Sequence, residues 1–141
     1  MKHRKLIFTL LAVLCLLGAA FLESPVQIIG SAGTAEIYTV TVWDGDAQRE
    51  DVTGQVDTAA LAEIIDRYSR DRSGYDFSPY QICAGDIEIG FREDGRNWHL
   101  LLSSGDGPRV VYESAEKGGY AVRWGQQLFD ELTQAIAAAR G

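Results

Sequence analysis

Asp86-Ile87-Glu88-Ile89-Gly90-Phe91-Arg92-Glu93-Asp94-Gly95-Arg96-Asn97-Trp98-His99-Leu100-Leu101-Leu102-Ser103 is the stretch that decides the fold. At its centre, Asp94-Gly95 is a favoured two-residue hairpin turn, because both turn positions need φ > 0. The turn sets the register, and the register sorts the side chains. Phe91 falls opposite Trp98, Ile89 opposite Leu100 and Ile87 opposite Leu102, which makes one apolar face. The other face sets Arg92 against Asn97, Gly90 against His99, Glu88 against Leu101 and Asp86 against Ser103. Glu93 meets Arg96 across the turn with unlike charge. A slip of one residue would mix the two faces, so the pairing is strongly specified.

An apolar sheet face needs a cover, and two amphipathic segments are available for it. From Asp57 to Arg70 the chain reads as a helix, with Asp57 or Thr58 as its N-cap. Leu61, Ile64, Ile65 and Tyr68 fall on one stripe, and Glu63 and Arg67 lie four apart on the wet side. From about Gln126 to Arg140 a second helix carries Leu128, Leu132, Ala135, Ile136 and Ala139 on one side. Arg140 near its end suits the helix dipole.

Further strands flank the hairpin. Glu36–Trp43 is rich in β-branched residues, with Tyr38, Val40 and Val42 alternating with Ile37, Thr39 and Thr41, and Asp44-Gly45-Asp46 turns the chain after it. Residues 71–85 form a polar connection holding Tyr75, Phe77, Pro79, Tyr80 and Cys83. After the turn at Ser104–Pro108, Arg109–Glu113 is a third strand; after Glu116-Lys117-Gly118-Gly119, Tyr120–Trp124 is a fourth. The order β-α-β-β-β-β-α predicts an α+β fold: a two-layer sandwich of a mostly antiparallel four- to five-stranded sheet with two helices on one face.

The N-terminus carries a different signal. Met1-Lys2-His3-Arg4-Lys5 is basic, and the 17 residues Leu6–Leu22 contain no charge. That run exceeds the roughly 7–15 residues of a secretory h-region and just reaches the roughly 17–25 needed to cross a bilayer. Gly18-Ala19-Ala20 supplies small residues for cleavage after Ala20, so residues 1–22 read as a signal peptide or an N-terminal membrane anchor, the length favouring the anchor. Either reading keeps the basic flank inside and sends the rest out. Cys15 follows Leu14 rather than a small residue, which argues against lipidation. Residues 23–35, with Pro, Gly, Ser and Ala, read as a flexible spacer before a single domain at 36–141.

Charge narrows the partners. The chain has 20 acidic and 13 basic residues; three of the basic ones precede the apolar run, so the exported part carries −10. That surface repels nucleic acid and anionic lipid headgroups alike, leaving contact with the membrane to residues 6–22. Cys83 is the domain's only thiol, so an internal disulfide is excluded and the core must hold the fold.

No motif assigns a chemistry. Cys83 and His99 are the domain's single thiol and imidazole, a pair to weigh for nucleophilic catalysis, but His99 falls on the polar hairpin face opposite Gly90. One His and one Cys are too few for zinc. Asp44, Asp46, Glu50 and Asp51 make the densest acidic stretch, without EF-hand spacing, and read as a solvated turn. Ser104-Gly105-Asp106-Gly107 and Gly118-Gly119 do not lead from a strand into a helix as a phosphate loop does. No Gly-x-Ser-x-Gly elbow occurs, and 20 acids could supply many glycosidase-like pairs without singling one out. Phe91, Trp98, Tyr120 and Trp124 read as core; Trp43, Tyr75, Phe77 and Tyr80 lie at strand ends or in the long loop, which is expected to fold back over them.

Asp51-Val52-Thr53, Asp86-Ile87-Glu88-Ile89 and the Tyr120 strand leading to Leu128 and Leu132 give residues 51–137 a pattern that resembles small exported bacterial proteins of unknown function. The resemblance implies a small extracytoplasmic α+β domain and carries over no site or cofactor. The expectation is a tethered or secreted non-enzymatic module that binds a protein or cell-envelope partner. An exported hydrolase built on Cys83 and His99 or on carboxylates, and the ectodomain of a regulatory assembly, are the alternatives.

Overall fold

A computed structural model of the chain describes residues 2–45, 48–103, 107–112 and 118–141. It is an α+β protein. In chain order the elements are α1 (Lys2–Glu23), β1 (Val26–Gln27), β2 (Glu36–Trp43), β3 (Arg49–Asp51), a 3-10 turn (Thr53–Gln55), α2 (Thr58–Asp66), β4 (Ser69–Arg70), β5 (Ile87–Glu93), β6 (Arg96–Leu102), β7 (Arg109–Tyr112), β8 (Tyr120–Ala121) and α3 (Gly125–Arg140). Six strands make one antiparallel sheet in the order β3-β2-β5-β6-β7-β8, and β1 and β4 form a separate pair.

The β5–β6 hairpin has the register its turn dictates: Phe91 pairs with Trp98, Ile89 with Leu100, Ile87 with Leu102 and Glu93 with Arg96. Asp94 and Gly95 both adopt positive φ, 51° and 71°. The apolar face of this hairpin is the floor of the core. Val40, Ile87, Ile89, Phe91, Leu100 and Leu102 share one buried cluster with Leu61 and Ile65 of α2 and with Leu128, Leu132 and Ile136 of α3. Leu101 points the other way by the strand's alternation and packs with Tyr80.

Several elements depart from the sequence pattern, each for a local reason. The first helix is shorter than the 57–70 its periodicity predicts. Asp57 caps it, its Oδ1 accepting from the amides of Ala59 and Ala60 at 3.0 and 3.1 Å, but it ends at Asp66, and Ser69–Arg70 leaves as β4. Arg67 reaches Glu131 of α3. The segment 23–35 is not a loose spacer: β1 pairs with β4, Ile28 and Ile29 are buried, and Glu93 accepts from the amide of Gly30 at 2.7 Å. Two adjacent isoleucines outweigh the surrounding Gly and Ser by filling the core.

Strand β2 carries an irregularity between Ile37 and Thr39. It sets Ile37 opposite Phe91 and turns Tyr38 onto the polar face over Gly90, off the face of Val40 and Val42 where plain alternation puts it. At the other edge the last strand stops at Ala121. Val122 makes one bridge to Arg70, and Trp124 turns out with φ 55° and 79 % exposure instead of entering the core. The expected turns at 104–106 and 116–117 and the strand end at Glu113 lie outside the described residues.

Candidate functional site

His99 is the titratable side chain the hairpin register singled out, and the structure gives it two partners. Its Nδ1 lies 2.6 Å from Glu88 Oε1, and its Nε2 lies 3.4 Å from the Tyr38 hydroxyl. A carboxylate only accepts, so Nδ1 carries the hydrogen of that bond, and Nε2 is the atom that faces the phenol. Glu88 reaches His99 because the two sit diagonally on one face of the β5–β6 ladder: Glu88 pairs with Leu101, and His99 with Gly90. Tyr38 reaches it because Gly90 has no side chain; a Cβ there would stand 2.5 Å from the Thr39 methyl and 2.8 Å from the Tyr38 ring.

A carboxylate, an imidazole and a hydroxyl in line have the order of a nucleophilic relay. The electrostatics run against that use. Burial, and then the charge of Glu88, raise the Tyr38 phenol above its ordinary pKa, which holds its proton in place. The cluster is a polar tie across β2, β5 and β6. It also occupies both nitrogens of His99, so the structure does not pair the imidazole with Cys83. That thiol is exposed; its backbone amide donates to Asp86 Oδ2 at 2.7 Å and its Sγ lies 3.9 Å from the Gln81 carbonyl.

The acidic stretch is likewise taken up by the fold. Asp44 Oδ1 accepts from the Gln48 amide, Asp51 accepts from the Thr53 amide and hydroxyl, and Glu50 pairs with Arg140 at 2.7 Å. Hydrogen bonds from Thr53 hold the Asp51 carboxyl below its usual range. Asp46 lies outside the described residues. Among the described residues no three His, Cys, Asp or Glu side chains converge as metal ligands.

Two concave regions flank α3. At its start, Trp124, Gln127 and Glu131 with Arg67 and Tyr68 line a cavity of about 290 Å³. Tyr68 donates to Glu131 at 2.6 Å; burial and that carboxylate push the phenol up to about 12. The Tyr68 hydroxyl, with Arg67 beside it, holds Glu131 below the carboxylate range. At the far end of α3, Trp43, Asp44, Glu50, Gly85, Thr133 and Arg140 are among the residues lining a cavity of about 350 Å³. The first takes its α3 residues from the half up to Glu131 and the second from Thr133 to Arg140, so the two are neighbours along the helix. The loop aromatics are divided: Tyr80 is buried, Tyr75 stacks edge-on against Tyr120 at 5.0 Å, and Phe77 stays 80 % exposed.

The last region is the junction with α1. Arg123 donates to the Glu23 carbonyl at 2.7 Å, Ser73 to the Leu22 carbonyl at 3.2 Å, and Arg72 to Ser24 Oγ at 3.1 Å. The Arg72 guanidinium lies 4.1 Å from the centre of the Phe21 ring, and Arg123 is itself held by Asp71 at 2.8 Å. These groups satisfy carbonyls that the end of a helix leaves open, with cations where its dipole favours them. Polar composition alone does not show this junction; the arginines at 72 and 123 are its one trace in the sequence. Comparison with known proteins found no matching family model, no matching curated protein and no matching solved structure.

Proposed function

We propose that this chain is a non-enzymatic extracytoplasmic binding module, held to the membrane by α1 and presenting the cleft at the far end of α3 to a protein or cell-envelope partner. The observation that carries this reading is the junction. α1 is long and apolar enough to cross a membrane, and none of its apolar stretch is buried against the domain. Its outer end is gripped by Arg72, Ser73 and Arg123. That grip supports a retained anchor over a cleaved signal. Lys2, Arg4 and Lys5 in its first turns support an outward domain.

The domain is read as a two-layer sandwich of the order β-α-β-β-β-β-α with α2 and α3 on one face, supported by the single core cluster they share with β2, β5 and β6. The cleft beside Trp43 and Arg140 is favoured for the partner because its α3 residues, Thr133 to Arg140, lie on the half of that helix away from Arg123 and the junction. The firm junction also supports a second reading, the ectodomain of a regulatory assembly, since a domain fixed to its helix can pass on a tilt.

Cys83 provides the test. It is exposed, while Cys15 lies within the apolar helix. A membrane-impermeant maleimide should label Cys83 in intact cells, and the full-length chain should stay in the membrane after alkaline extraction. Labelling only after lysis would place the domain inside and end this reading. With topology established, a photocrosslinker at Thr133 should capture a partner that one at the hairpin tip, at Arg96, does not.

A further inference from the structure

We propose that the collar around the end of α1, centred on Trp124 with Arg72 and Arg123, is a lipid-contacting surface that seats the domain on the headgroup layer of the outer leaflet. This rests on the reading of α1 as a retained anchor and adds a second, independent contact with the membrane.

The geometry begins with length. The 17 uncharged residues Leu6–Leu22 of α1 span about 26 Å at 1.5 Å per residue, close to a hydrocarbon core of about 30 Å. Its last residues, Phe21 to Glu23, therefore emerge at the interface. Whatever bonds directly to their backbone emerges there too, and Arg123 and Ser73 do. Trp124 follows Arg123 directly.

The chemistry at that level is that of an interface belt. Tryptophan concentrates where an apolar ring and a polar N–H can both be satisfied, and arginine there reaches phosphate. Phe77 and Trp124 are the large apolar side chains most exposed among the described residues, at 80 % and 79 %. Trp124 is also held in the left-handed region, which L-residues with a Cβ avoid. In water this is doubly unfavourable: a strained backbone presents a large ring to solvent. Against a bilayer the same conformation places the ring at the depth it prefers. The net charge of −10 disfavours anionic lipid for the domain as a whole, so the ring rather than charge must set the contact.

The experiment uses the full chain reconstituted into phosphatidylcholine vesicles whose acyl chains are brominated near the carbonyl, where bromine quenches nearby indoles. Wild type should be quenched, and Trp124→Phe should lose the larger share of that quenching. Trp124→Gly relieves the left-handed strain and should show the same loss, which separates lost contact from lost folding. Equal quenching of wild type and both variants, with the chain floating with the vesicles, overturns the collar and leaves the anchor standing. A chain that does not float overturns the anchor and the collar with it.

Discussion

Thr41 is fully buried on the sheet face opposite the main core, and its hydroxyl has no hydrogen-bond partner among the described residues. A buried hydroxyl without a partner loses hydration for nothing in return. Thr41→Val keeps the shape and removes the hydroxyl, so it should stabilise the domain by about 1 kcal/mol. A higher melting temperature than wild type checks this; a lower one would mean the hydroxyl is satisfied. Tyr68 makes a different statement. Its phenol is raised from 10.0 to about 12, by burial first and then by Glu131. The folded state holds that proton more tightly than the unfolded chain, so the stability it contributes is complete below pH 10 and is lost as pH climbs through about 12. Ultraviolet titration should show a last tyrosine step near 12 that Tyr68→Phe removes.

Elements divide by how local their causes are. The β5–β6 hairpin is legible because turn chemistry and the two-residue pleat both act within 18 residues of chain. The diagonal contact of Glu88 with His99 follows from the same register, but only when neighbours two residues along a face are compared as well as those directly opposite. By contrast β1, β3 and β4 are two or three residues long and have no period to detect. They exist because distant partners pair with them. The displacement of Tyr38 depends on Gly90, fifty-two residues away, having no side chain. That gives a prediction at this scale. Gly90→Ala drives a methyl into Thr39 and the Tyr38 ring, so it should destabilise by about 1–3 kcal/mol. It should also push Tyr38 toward solvent and away from Glu88, the two causes of its raised pKa, lowering the pH at which that phenol titrates. Unchanged stability would mean that β2 can shift without cost.

For the whole molecule, the decisive contacts are those that join α1 to the rest. Nothing in the composition of residues 23–35 marks them as ordered, and Pro, Gly and Ser suggest the reverse. Order there comes from Ile28 and Ile29 entering the core and from Arg72 and Arg123 reaching back to the helix end. Replacing both arginines with alanine should leave the core intact and loosen the junction. The melting temperature should stay near wild type while protease cutting beside Glu23 rises severalfold. Protection equal to wild type would show that β1 and the two isoleucines hold the junction alone.

On the reading of α1 as a retained anchor, a domain fixed to it in this way could not hunt through the surrounding volume as one on a slack tether would. Its search is confined to a sheet of space about one domain thick, roughly 35 Å by the size of a chain this long. Encounters then depend on lateral diffusion, and concentration is counted per area of membrane. On that same reading a partner would have to come to that layer: another protein of the same membrane, or envelope material lying close against it.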